Sequence, residues 1–81
     1  MRYFIEIEGP TFSMDIFGQP DFLQNVHRQI MLDAGICHPT ILASKPMYPG
    51  KEKVTWDIEC DPALLSFIVL KLGAKIIYEY S

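Results

Sequence analysis

Tyr48-Pro49-Gly50-Lys51 stands between two runs of strand-forming residues, Pro39 to Lys45 and Lys53 to Cys60. Proline at the second turn position fixes φ, and glycine at the third tolerates the positive φ of a type II turn. The two runs are therefore expected to pair as a hairpin. Folding about Pro49 and Gly50 sets Ile41 opposite Ile58 and Ala43 opposite Trp56, which puts a small residue against the largest one on a shared apolar face. Pro46 lacks an N–H donor, so the first of these strands belongs at a sheet edge, and a bulge near Pro46 would shift the register.

Before this hairpin, Tyr3, Ile5 and Ile7 alternate with Phe4, Glu6 and Glu8, the period of two that marks a strand. Gly9-Pro10 interrupts it. Phe12, Met14 and Ile16 then alternate with Ser13 and Asp15, so residues 12–16 read as a further short strand or an ordered loop. Gly18 ends that stretch, and Pro20 fits the first turn of a helix, where its missing N–H costs nothing. From Asp21, the apolar positions Phe22, Leu23, Val26, Ile30 and Ala34 recur at helical spacing, and Gly35 is the expected stop.

After the hairpin, Asp61 is placed to cap a second helix with Pro62 at its first position, and Gly73 closes it. Between them Leu64, Leu65, Phe67, Ile68, Val69, Leu70 and Leu72 surround the helix and form no single stripe. A last strand runs from Ala74 to Tyr80. The order strand, helix, strand, strand, helix, strand resembles the ferredoxin-like split βαβ arrangement, an α+β two-layer sandwich with a four-stranded antiparallel sheet and both helices on one face. In that topology the first strand is expected to lie adjacent and parallel to the Lys53–Cys60 strand. Residues 1–81 are read as one domain, because eighty-one residues support one hydrophobic core and not two.

About half the residues are hydrophobic and a fifth charged, a globular composition. The formal charge is −3, and no run of Lys or Arg breaks the acidic balance. Duplex nucleic acid and membrane surfaces are therefore disfavoured as partners, since phosphate binding draws on clustered cations. No apolar run approaches the roughly twenty residues of a spanning helix, and Glu6 and Glu8 fall where a secretion signal needs apolar residues. Two cysteines make no disulfide framework, so a reduced, cytoplasmic protein is the expectation.

Three sets of residues carry the functional expectations. The first is the helix surface Phe67, Ile68, Val69 and Leu70 with Tyr78 and Tyr80. It holds more apolar area than one sheet covers and points to a protein contact, with a second copy or with a larger protein that the chain regulates or inhibits. The second is the segment between Gly9 and Pro20, where Phe12, Met14, Phe17 and Gly18 would line a small-ligand or nucleotide pocket beside a helix start. The third is Glu6, Glu8, Asp57 and Glu59, which parallel pairing would gather into a carboxylate patch for Mg²⁺ or Mn²⁺ and nuclease chemistry.

Cys37, His38 and Cys60 are a weaker constellation. The hairpin register brings Cys60 near His38, but a structural zinc site wants a fourth ligand, and strand alternation would send Cys37 and His38 to opposite faces. The acylphosphatase-like use of this topology implies an anion-binding arginine in the first loop, and the metal chaperones built on it imply Met-x-Cys-x-x-Cys. Neither feature is present. The expectation is a non-enzymatic interaction domain that needs no cofactor.

Overall fold

The computed structural model describes residues Met1 to Tyr80. Along β1 (Arg2–Pro10), Tyr3, Ile5 and Ile7 are buried while Phe4, Glu6 and Glu8 point the other way. β5 (Lys51–Glu59) repeats the alternation with Val54, Trp56 and Ile58 inside. These strands form the centre of a four-stranded sheet of order β4–β5–β1–β6, with β4 at Thr40–Tyr48 and β6 at Lys75–Tyr80. Its buried face packs on α1 (Leu23–Ala34) and α2 (Pro62–Leu72). Met31, Leu65 and Ile68 from the helices join Tyr3, Ile5, Ile7, Val54, Trp56 and Ile58 in one core. The opposite face of the sheet is left to solvent.

The chain is thus α+β with an antiparallel sheet and two helices, but its order is not the plain six-element one. Two short strands, β2 (Phe12–Met14) and β3 (Pro20–Phe22), form a separate hairpin before α1. Pro20 therefore lies in a strand and not in the first helical turn. Pairing with β2 holds residues 20–22 extended, through Met14 opposite Pro20 and Phe12 opposite Phe22, whose rings stand 5.1 Å apart. The helix starts only at Leu23, whose N–H donates to the Thr11 carbonyl at 3.0 Å.

The expected parallel pairing of β1 with β5 is also corrected, because the two are antiparallel, with Phe4 opposite Asp57 and Glu8 opposite Lys53. The reason is chain direction. The α1 crossover returns β4 in the direction of β1, the Pro49-Gly50 turn reverses it, and β5 lies between the two and opposed to both.

The Pro49-Gly50 turn forms as expected, with Gly50 at φ +87° and Tyr48 paired with Lys51. The expected register then fails by one residue at Ala43 and by two at Ile41. Slips occur between Pro46 and Tyr48 and again between Ile41 and Ala43, so Ile41 meets Trp56 and Ala43 meets Thr55. Each slip inverts the alternation, and two restore it. Ile41 consequently still packs against the core, while Ala43 is exposed. Pro46 does lie on an edge strand, since β4 pairs with β5 alone.

Both helices end as their glycines require, with Gly35 at φ +108° and Gly73 at φ +66°. α2 begins on Asp61, whose Oδ1 accepts from the Leu64 N–H at 2.8 Å. Asp61→Ala strips that first turn of its acceptor and is expected to cost about 1 kcal/mol. A lower urea midpoint at unchanged m would register it. An unshifted midpoint would mean that water replaces the carboxylate without loss.

Candidate functional site

Four consecutive apolar residues on an α-helix must spread around its circumference, because each step turns the chain by about 100°. On α2 this sends Ile68 fully into the core, leaves Val69 half-buried, and turns Phe67 and Leu70 outward at 50% and 86% exposure. Ile68 is therefore unavailable to a partner. Tyr78 and Tyr80 lie elsewhere: they join Phe4 on the open face of the sheet, with ring centroids 6.0 and 5.4 Å from Phe4. The Arg2 guanidinium stands over Tyr80 at 5.1 Å. The six expected interface residues are thus divided among a helix surface, the core and the far side of the sheet.

Beside α2, a groove of about 260 Å³ opens between the helices, lined by Ile30, Ala34 and Phe67 with Asp33 and Lys71 at its rim.

The β2–β3 hairpin is the second apolar surface. Phe12, Met14, Ile16 and Phe22 are each about half or more exposed, and Phe17 at the tip is 80% exposed. The tip is ordered by Asp15. Its Oδ1 accepts from the N–H groups of Phe17 and Gln19, both at 2.9 Å, and its carbonyl accepts from Gly18 at 3.0 Å. The root of the hairpin is clamped by Leu23, because a Cβ built on Gly9 would lie 2.8 Å from the Leu23 methyl. Sequence reasoning placed Phe12, Met14, Phe17 and Gly18 here as pocket residues, yet the cavity of about 300 Å³ at the tip is lined by Asp15, Ile16, Phe17, Asp21 and Gln29. Phe12, Met14 and Gly18 lie outside it. Phe22, expected on the helix by its spacing, ends β3. The signal that would have placed it correctly is the symmetric Phe12 and Phe22 flanking a Gly-containing turn, the mark of a hairpin.

The four carboxylates share one face of the sheet but do not converge. Antiparallel pairing carries Glu6 and Glu8 away from Asp57 and Glu59 along the strands. Asp57 is bound by both Nε and Nη2 of Arg2, and Lys53 approaches Glu6 at 3.6 Å and Glu8 at 4.0 Å. Among the described residues, no group of three or more His, Cys, Asp or Glu side chains is placed to hold a metal ion.

Cys37 and His38 sit in the connection between α1 and β4, where strand alternation does not apply. Both line a cavity of about 340 Å³ with Arg2, Asp57 and Glu59. β4 begins to pair only at Thr40, opposite Asp57, so neither Cys37 nor His38 is held in the ladder, and the Cys60 side chain packs against the core. Burial, and then the charge of Asp61, raise the Cys60 thiol above its ordinary pKa, which disfavours the thiolate that metal binding or nucleophilic attack requires. Both cysteines are free.

No helix among the described residues is long and apolar enough to cross a membrane. No family model, curated protein or solved structure matches this chain.

Proposed function

We propose that this chain is a small non-enzymatic interaction domain that works through exposed apolar surface, either as a homo-oligomer or as a regulator or inhibitor of a larger protein. The observation that carries the reading is Leu70, 86% exposed beside Phe67 on an ordered helix. Fully burying a leucine stabilises by about 1.5–3 kcal/mol, so covering this surface rewards a partner. We place the chain in the cytoplasm, a reading supported by its two free cysteines. The frame of four long strands and two helices is read as ferredoxin-like with the β2–β3 hairpin as an insertion, and this topology does not choose among functions.

Leu70→Asp tests the reading. It is expected to weaken association, by self or partner, at least tenfold in sedimentation or cross-linking, with the far-UV spectrum unchanged. A wild-type chain that stays strictly monomeric and recovers no partner on cross-linking in extract would count decisively against it.

A second reading, a small-ligand sensor, draws support from the cavity of about 300 Å³ at the hairpin tip. A metabolite and nucleotide thermal-shift screen addresses it. A ligand at a hundred times its Kd stabilises by roughly 2.7 kcal/mol, and a flat screen leaves the reading without support.

A further inference from the structure

The two exposed apolar elements carry opposite charge. The hairpin presents Asp15 and Asp21, and no Lys or Arg occurs between Gly9 and His27. α2 presents Lys71, and no Asp or Glu occurs between Pro62 and Lys75. Lys71 makes no ion pair among the described residues. Asp33, which accepts a hydrogen bond from Gln29 at 2.8 Å and keeps its charge, shares the groove rim with it, so an incoming carboxylate is drawn to the Lys71 side.

From this we infer that the hairpin tip of one copy, led by Phe17 and Ile16, seats in the α1–α2 groove of a second copy, against Phe67, Ile30 and Ala34, with Asp15 or Asp21 facing Lys71. The inference rests on the interaction-domain reading and names its partner.

Other occupants fit less well. In its own molecule the hairpin tip bounds a separate cavity with Asp21 and Gln29, and the groove lined by Ile30, Ala34 and Phe67 stays open. A symmetric α2–α2 contact would leave the hairpin uncovered. A hairpin–hairpin contact would oppose Asp15 and Asp21 to themselves. An anionic lipid surface is repelled by the same two carboxylates, and the hairpin itself carries no Lys or Arg to offset them. Hairpin in groove is the pairing that covers the hairpin tip together with Phe67 and brings Asp15 or Asp21 to Lys71.

A contact between two different surfaces makes a complementation test available. Phe17→Asp spoils the tip and leaves the groove; Phe67→Asp spoils the groove and leaves the tip. Both positions are at least half exposed, so circular dichroism and the urea midpoint are expected to show folded protein for each. In sedimentation velocity at micromolar concentration, the wild-type chain is expected to associate and each variant to run as a monomer. An equimolar mixture of the two variants is expected to recover a 1:1 pair of twice the monomer mass, because one intact tip meets one intact groove.

Association that survives Phe17→Asp but is lost in Leu70→Asp would overturn the inference while keeping the interaction reading. A mixture that stays monomeric while wild type associates would overturn it too. A monomeric wild type overturns it outright, and the interaction reading then stands or falls on cross-linking in extract.

Discussion

Replacing Trp56 by alanine is expected to cost about 3–5 kcal/mol, the range for deleting a large aromatic side chain from a closed core. Trp56 is fully buried on the central strand β5, flanked by Ile5 on β1 and Ile41 on β4. It therefore ties three strands to the helices, and the Arg28 guanidinium closes over its ring at 5.7 Å. At roughly 0.05–0.15 kcal/mol per residue, a domain of this length holds about 4–12 kcal/mol in total, so this one truncation removes a large share. Trp56→Phe is expected to cost less than half as much, for a reason beyond ring size. The indole Nε1–H is buried without a hydrogen-bond partner, and phenylalanine removes that orphaned donor along with the lost contacts. Urea midpoints followed by circular dichroism compare the two. Equal losses would show that the indole N–H is satisfied in solution.

The same residue shows how far the fold could be read from sequence. Alternation in β1 and β5 marked Tyr3, Ile5, Ile7, Trp56 and Ile58 as one face, because period-two patterning follows directly from strand geometry. Caps were legible for a similar reason: Asp61-Pro62 and the two glycines act on backbone groups within a few residues of themselves. Register was not. One-for-one pairing back from Pro49-Gly50 holds only without bulges: Pro46 marks the place of the one at Met47, but the second, at Leu42, leaves no compositional trace. The α1 crossover and the Pro49-Gly50 turn together oppose β5 to β1, which removes the carboxylate patch, since that patch requires β1 and β5 to run the same way.

The candidate site was legible in kind and not in place. Too many apolar residues on α2 implied that some face outward, and helical geometry selects Phe67 and Leu70 to do so. Adding Tyr78 and Tyr80 to that surface needed knowledge of which sheet face the helices cover. Residue alternation says that a strand has two sides, but it does not say which side a distant helix takes. The hairpin at residues 12–22 was harder still. Its apolar residues read as the lining of a pocket, because exposure of Phe12, Met14, Ile16 and Phe17 violates the usual burial rule, and such violations concentrate where a protein meets something else.

His27 gives this domain a pH-dependent stability whose sign follows from its burial. The ring lies on the inner face of α1, between Leu23 one turn before it and Met31 one turn after, and its Nδ1 has no hydrogen-bond partner. Desolvation lowers its pKa below the ordinary 6.5, so the folded chain holds the imidazole neutral where an unfolded chain takes up a proton. Above about pH 6.5 both states are neutral at this position and the fold keeps its full stability. As pH falls below 6.5, the unfolded state gains a proton that the native state refuses. Stability then declines by up to about 1.4 kcal/mol per pH unit until the folded pKa is reached. His27→Met, close in volume and free of a titrating ring, is expected to flatten the dependence between pH 7.5 and 5.5 and to match or exceed wild type at the lower value. Carboxylates titrate mainly below that window, and the other histidine, His38, is exposed. The measurement is the urea midpoint at each pH for both chains. A slope that persists undiminished in His27→Met would place the responsible proton elsewhere and would mean that His27 reaches water in solution.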